Sequence, residues 1–278
     1  MVPLLFSFCN GPLSIAISKA VIMARGLGTR MRRADPDAAL TTEQAGLAER
    51  GVKGMIPVGR PFIEFLLSAL ADAGFTDVCL VIGPEHDAVR RYTDALNPQR
   101  VRISHAIQAE PRGTADAVAA AEAFAGGDAF LVINSDNYYP LASLLDCQTL
   151  EGPGLVAFSA RAIVQQGGVP LERIAPFPRV ETDAEGFLSA LTVNPAAGDS
   201  GYLSMNCWRL GPAIFTACRA IVPSPRGELE LPDAVNYSRT RLGERYRVLR
   251  SDDPVFDLSS RGDIARVTRQ LERVVVRL

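Results

Sequence analysis

Lys19-Ala-Val-Ile-Met-Ala-Arg-Gly-Leu-Gly-Thr-Arg-Met31 is an apolar strand that runs straight into a glycine-rich turn closing on Arg30. Gly26 and Gly28 leave backbone N–H groups uncovered, so a polyphosphate can come close, and Arg30 adds a permanent charge with a forked donor set. Two better-known glycine loops fail on spacing. A dinucleotide fingerprint starting at Gly26 needs a third glycine where Met31 stands, and a P-loop needs Gly-Lys-Ser/Thr where the chain has Gly28-Thr29-Arg30. The turn reads as a cradle for a nucleoside triphosphate at the end of a strand.

Composition sets the bounds. With 278 residues, 47% of them hydrophobic and 22% charged, the chain can bury a sizeable core. A net charge of −2 gives no overall attraction to nucleic acid or to an anionic membrane, so an anion must be held by a local cluster such as Arg25, Arg30, Arg32 and Arg33. Cysteines 9, 79, 147, 207 and 218 form an odd set with no Cys-x-x-Cys pair, which argues against a disulfide framework or a zinc site and for a reducing cytoplasm. Residues 1–18 are largely apolar but lack the basic start of a signal peptide, and cleavage near Ala20 would cut the first strand; they read as an N-terminal extension. No other run reaches the roughly 18 apolar residues a membrane span needs.

From Lys19 onward short apolar runs alternate with helical patterns: Ala20–Met23, Pro61–Ala73, Val78–Ile82, His86–Leu96, Val101–Ala106, Thr114–Phe124 and Ala129–Ile133. Runs such as Val-Cys-Leu-Val-Ile are apolar throughout, as parallel strands covered on both faces must be. The fold class is therefore α/β: a Rossmann-like, mainly parallel sheet flanked by helices, whose ligands gather at the carboxyl ends of strands. A flap with a short helix from Glu43 is expected between Arg33 and Gly51. After Ala160 prolines break the rhythm, with strand-like pieces at Arg179–Thr182 and Phe187–Val193 and helices at Pro212–Ile221, Leu231–Leu242 and Ser259–Arg273. Residues 19–278 thus read as one domain, with a nucleotide-binding half over 19–160 and, over 161–278, a mixed lobe laid on the first sheet with closing helices.

Several side chains in this frame could do chemistry. Lys53 sits in the apolar stretch Gly51–Gly59 and needs an anionic partner; near a phosphate cradle it can offset charge developing on phosphorus. Asp136 follows the strand Leu131-Val-Ile-Asn, where a metal-binding carboxylate is wanted, and Asp257 is the best second candidate. Magnesium takes one or two carboxylates and fills its shell with water and substrate phosphates. Gln108 offers a donor and an acceptor to a base edge, and Gly113 lets a flat base lie against backbone. With His86 and His105 the only histidines and no Gly-x-Ser-x-Gly, serine and cysteine hydrolases and zinc enzymes are disfavoured.

In this order the segments resemble the sugar-1-phosphate nucleotidyltransferases, which share a glycosyltransferase-A-like architecture. The family's Ala-Ala-Gly-x-Gly-Thr-Arg-Leu looks like Ala24 to Met31, its Pro-Lys-Pro-x-x-Pro-Val like Val52 to Val58, and its Gln-x-Glu-x-x-Gly-Thr-Ala like Gln108 to Ala115. Its Gly-Asp-Asn is similar to Ser135-Asp136-Asn137, its Gly-Glu-Leu-x-Leu-Thr-Asp to Gly227–Asp233, and its late Asp-Ile-Gly to Asp257-Leu258-Ser259. The resemblance implies that a sugar phosphate oxygen attacks the α-phosphorus of a nucleoside triphosphate in line and pyrophosphate leaves. Arg30 and Lys53 would be catalytic, and Asp136 and Asp257 would hold Mg²⁺. Nucleotide would rest on Ala24, Arg25, Gly26, Gly28, Thr29, Gln108, Gly113 and Thr114. Sugar phosphate would meet Asn137, Asn194, Asn206, Arg209 and Glu228.

Departures from the pattern bear on the acceptor. Arg25 replaces a small residue beside the nucleotide; Glu-Lys-Pro becomes Val193-Asn194-Pro195, and Asn-Ala-Gly-Ile-Tyr becomes Asn206-Cys-Trp-Arg-Leu210. The family's lysine contact to the sugar phosphate is thereby missing, and Arg209 is the expected replacement cation for an unusual sugar or cyclitol phosphate. A nucleotide-sugar glycosyltransferase, or a regulatory relative that binds without turnover, are the competing readings. The first leaves Arg30 and Lys53 without a purpose, and the second is opposed by the retention of Arg30, Lys53, Asp136 and Asp257 together. The base and a homo-oligomeric assembly are left open.

Overall fold

The computed structural model describes residues 16–193 and 195–278. Strand β1 (Lys19–Met23) lies inside a sheet formed with β2 (Asp77–Ile82), β3 (Arg102–Ile107) and β4 (Phe130–Asn134), all parallel to their neighbours in this set. The short β5 (Asn137–Tyr138) follows, and then β6 (Gly154–Ser159), β7 (Arg179–Thr182), β8 (Leu188–Thr192), β9 (Tyr202–Leu210), β10 (Arg247–Ser251) and β11 (Phe256–Asp257). The main path runs β10-β6-β9-β4-β1-β2-β3, with β7 and β8 attached beside β9, while β11 and β5 form a separate antiparallel pair.

Alternation within β1 shows why its sequence is apolar throughout. Ala20 and Ile22 pack into the core on one face of the sheet, Val21 and Met23 into the core on the other. The helix Phe62–Asp72 covers the first face and is buried over nearly its whole length, entered directly after Pro61 and left at Gly74, whose φ of +89° takes the left-handed conformation glycine allows. The expected flap helix forms as Thr42–Arg50, started by a capping box in which the Thr41 hydroxyl accepts from the Gln44 N–H and the Gln44 side chain accepts from the Thr41 N–H.

The second half does not lie on top of the first sheet. Its long strand β9 enters the sheet antiparallel to both β4 and β6, so the two halves share one sheet. The packed chain also begins earlier than Lys19: Ile17 is buried in the core, its N–H donates to Gln148 O at 3.0 Å, and Ser18 O accepts from Thr76 and Asp77. Residues 1–15 of the expected extension fall outside the described residues. Among the described residues no helix is long and apolar enough to cross a membrane. Cys79, Cys147, Cys207 and Cys218 are free and buried.

The strand order decides where a ligand goes. From β1 the chain steps outward to β2 and β3 on one side, and then returns to place β4 on the other, which makes the carboxyl ends of β1 and β4 a topological switch point. The glycine turn and Asp136 follow those two ends.

Candidate active site

Two connected cavities open at the switch point, one of about 470 Å³ over the glycine turn and one of about 1110 Å³ reaching toward the second half. Ala24, Arg25, Gly26, Gly28, Thr29, Gln108 and Gly113 line the smaller cavity, and Arg30, Lys53, Thr114, Asp136, Asn206 and Glu228 line both. The two glycines have different jobs. Nothing stands within 4 Å of a Cβ built on Gly26, so its face is open to the cavity. Gly28 has φ +60°, and a Cβ there would meet Gly51 O at 2.5 Å, so this glycine is required by the approach of the Gly51 backbone. Gly28→Ala is therefore expected to destabilise the fold by at least about 1–2 kcal/mol, roughly 2–8 °C in melting temperature. Gly26→Ala should leave melting unchanged and raise the nucleotide KM; thermal melts and kinetics of the two variants check this contrast.

The arginine cluster expected after β1 does not assemble. Arg25 is buried, and its Nη2 donates to Glu85 Oε2 at 3.3 Å and to Ala109 O at 3.0 Å. Its side chain passes Gly83, where a Cβ would come within 2.6 Å of Arg25 Nε. Arg32 donates to Arg50 O at 3.0 Å. Arg30, exposed on the turn, is left as the cation of this group that lines both cavities.

Lys53 finds the anion its setting demands: Nζ donates to Asp136 Oδ2 at 2.7 Å. Asp136 and Asp257 are brought together by backbone, because Asn137 pairs with Asp257 across β5 and β11 and the Leu258 N–H donates to Asp136 O at 2.8 Å. Asp257 is 3% exposed. Burial and the neighbouring Asp136 carboxylate push its pKa up, while the Arg173 guanidinium and the Ser259 hydroxyl pull it back. Its Oδ1 accepts from Asn137 Nδ2 at 3.0 Å and Ser259 Oγ at 2.8 Å, and its Oδ2 accepts from Arg173 Nη2. Among the described residues no cluster of three or more acidic, histidine or cysteine side chains could cage a metal. The pair suits Mg²⁺ all the same, since that ion takes one or two carboxylates and completes its shell with phosphates and water.

Gln108 is buried, and its Nε2 donates to Gly113 O at 3.0 Å and Asp116 Oδ2 at 2.8 Å. Both amide hydrogens are thus committed, which corrects the expectation of a donor and an acceptor: only Oε1 remains for a ligand. Gly113 also serves a different purpose from the expected bed for a base. Its φ is +120° and a Cβ would strike Leu229 O at 2.4 Å, so the missing side chain admits the Leu229 backbone. The Leu231 N–H donates to Thr114 Oγ1 at 2.8 Å, tying the two segments together.

A file of asparagines crosses the floor. Asn206, at φ +57° in β9, donates from Nδ2 to Asn134 Oδ1 at 3.2 Å; Asn134 Nδ2 donates to Asn137 Oδ1 at 2.8 Å; and Asn137 continues to Asp257. Residues 19–253 match the family model described as nucleotidyl transferase. The chain belongs to that family.

This nucleotidyl transferase is 25% identical over 219 residues to the low-salt glycan biosynthesis nucleotidyltransferase Agl11 of Haloferax volcanii, covering 78% of this chain and 56% of that one. It is 28% identical over 224 residues to a glucose-1-phosphate thymidylyltransferase of Streptomyces griseus, covering 79% and 56%. The chain thus spans about half the length of these two relatives. A third, the UTP–glucose-1-phosphate uridylyltransferase AglF of Haloferax volcanii, is 26% identical over 256 residues, covering 91% of this chain and 96% of that one. A solved UDP-glucose pyrophosphorylase complexed with UDP-glucose has the same fold, with a TM-score of 0.72 and 17% identity over 92% of this chain and 99% of that one.

Within the nucleotidyl transferase, one expected acceptor residue is misplaced. Arg209 lines neither cavity; it is buried, and its Nη1 donates to Cys147 O at 3.2 Å and Gln148 O at 2.9 Å at the end of the helix Leu141–Thr149. Arg209→Met should lower stability by about 1.5–3 kcal/mol through lost charge-assisted hydrogen bonds, leaving the acceptor KM unchanged; melting and kinetics measured together decide it. Asn194 falls outside the described residues, and neighbouring Val193 is exposed on the larger cavity. Sequence reasoning missed Asn134 and Arg173. Asn134 could have been found, since it is an amide closing an apolar strand, whereas Arg173 carries no local signal.

Proposed function

We propose that the protein joins a sugar 1-phosphate to a nucleoside triphosphate, giving a nucleotide sugar and pyrophosphate by in-line attack on the α-phosphorus. The observation that carries this reading is the cleft at the β1/β4 switch point, where an open glycine turn, Arg30, Lys53 and the Asp136–Asp257 pair face one space. The relatives named as glucose-1-phosphate thymidylyl- and uridylyltransferases support it.

Each group has a task that its geometry allows. The uncovered backbone around Gly26 receives the triphosphate, and Arg30 and Lys53 offset negative charge as it grows at phosphorus. Holding both reactants in one cleft removes most of the entropic barrier to their encounter. Asp136 and Asp257 would hold Mg²⁺, which supplies Lewis-acid polarisation of the α-phosphate when bound. Lys53 must leave Asp136, or share it, when phosphates and the ion arrive.

Gln108 Oε1, an acceptor without a donor beside it, suits a base carrying an imino N–H, such as uracil or thymine. Glu228 and Asn206 would face the sugar, whereas Asn137, expected to do so as well, is 2% exposed and its amide is committed to Asn134 and Asp257. Arg226 and Arg241 also line the larger cavity; Arg226 Nη2 is engaged by Glu230 at 2.7 Å, so with Arg209 withdrawn Arg241 is the cation there that could stand in for the missing lysine contact. The acceptor is read as a sugar 1-phosphate and the setting as a reducing cytoplasm. Incubating the protein with UTP, dTTP, ATP or GTP and a panel of sugar and cyclitol phosphates in Mg²⁺ should release pyrophosphate and form a nucleotide sugar with UTP or dTTP first. Absence of pyrophosphate release across the whole panel would overturn the reading.

A further inference from the structure

Arg173 stands outside both cavities, in the short helix Leu171–Ile174, yet it reaches the deeper of the two site carboxylates. Its Nη2 donates to Asp257 Oδ2, and its Nη1 donates to both carboxylate oxygens of Asp263 at 2.8 Å. Its side chain is 16% exposed and those of Asp257 and Asp263 are 4% and 6% exposed, so these contacts are sheltered from water and from salt. An ionised carboxylate offers about four lone-pair positions. Asn137 and Ser259 occupy both on Oδ1, and Arg173 takes one on Oδ2. One acceptor position remains, on the oxygen that Arg173 holds.

The same residue opens the segment that walls the larger cavity. The Phe177 N–H donates to Ile174 O at 3.0 Å, Pro178 O accepts from the Ser204 N–H at 2.8 Å, and Phe177 and Pro178 both line the cavity. A shift of that wall therefore pulls on Arg173, and through it on Asp257.

We propose that Arg173 is a positioning residue that fixes the Asp257 carboxylate as a one-point ligand facing Asp136 and couples the acceptor wall to the metal-binding pair. The inference rests on the nucleotidyl-transfer reading and its carboxylate pair. Arg173 acts through Asp257 and touches no reactant. Arg266 provides an internal contrast: its Nη2 donates to the Asp257 main-chain oxygen at 3.0 Å and to Asp263 Oδ1 at 2.6 Å, without engaging the Asp257 carboxylate.

The test is the affinity for Mn²⁺ alone, followed by the electron paramagnetic resonance signal of the free ion, together with the acceptor KM. Arg173→Gln should weaken Mn²⁺ binding 10- to 100-fold, the range typical of groups that orient a metal ligand, and raise the acceptor KM. Arg173→Lys keeps the charge but not the fork, so an intermediate loss is expected, and this variant decides the matter if the glutamine variant does not fold. Arg266→Gln should stay within about threefold of the wild type in Mn²⁺ affinity, whatever its melting temperature. Unchanged Mn²⁺ affinity in the Arg173 variants, or an equal loss in Arg266→Gln, would overturn the proposal. Failure of the wild type to bind Mn²⁺ would instead overturn the carboxylate assignment beneath it.

Discussion

Asp136→Asn is expected to lower kcat at least about 10³-fold at millimolar Mg²⁺, because the amide cannot supply the charge that holds a divalent ion against substrate phosphates, and that interaction is worth several kcal/mol in the transition state. Fold should survive. The Lys53–Asp136 contact is 2.7 Å long, with side chains 18% and 20% exposed, and asparagine keeps an oxygen to accept from Lys53 Nζ, so melting should remain cooperative and close to that of the wild type. Undiminished turnover in a variant with unchanged melting would remove Asp136 from the metal site. Asp257→Asn should be milder in turnover, since Asp257 has one acceptor position to give, but harsher in stability, because Arg173 would lose a buried partner.

Arg30→Lys is expected to reduce kcat about 10²-fold while the KM for nucleotide moves by no more than about threefold. Arg30 is exposed at the start of a four-residue helix, so nothing in the fold depends on it. A forked guanidinium can bridge two oxygens of the transferring phosphoryl group, and an ammonium meets one; the difference is felt where charge is greatest. A pure KM effect would assign Arg30 to uniform binding instead. Steady-state kinetics with both substrates varied separates the two outcomes.

The fold was readable because its signals are local. Strands β1 and β4 are apolar on both faces, the turn between Met23 and Thr29 is glycine-rich, and the carboxylate after β4 stands two residues beyond the strand end. The Lys53 partner was predictable in kind, since an ammonium among apolar residues needs an anion, but naming Asp136 needed the crossing of Gly54 beneath Ser135. Arg209 failed for a reason of parity. Neighbours in a strand point to opposite faces, and β9 turns Trp208 toward Tyr246 while Arg209 faces the helix Leu141–Thr149. Proximity to Asn206 in sequence was therefore no guide to proximity in space. Gln108 lines the smaller cavity but has no donor to offer, because Asp116, in the first turn of the helix Thr114–Ala120, and the oxygen of Gly113 just before that helix claim its amide hydrogens. Arg173 lies 84 residues before Asp257, and no periodicity links them.

Transfer at the α-phosphorus is tested most directly by supplying a sugar 1-phosphate labelled with ¹⁸O in its phosphate group, together with unlabelled UTP or dTTP, and following the products by ³¹P NMR and mass spectrometry. The geometry predicts unlabelled pyrophosphate and a nucleotide sugar with ¹⁸O in the bridge between its two phosphorus atoms. Release of nucleoside monophosphate or diphosphate in place of pyrophosphate, or a bridge without label, would contradict attack at the α-phosphorus in this cleft.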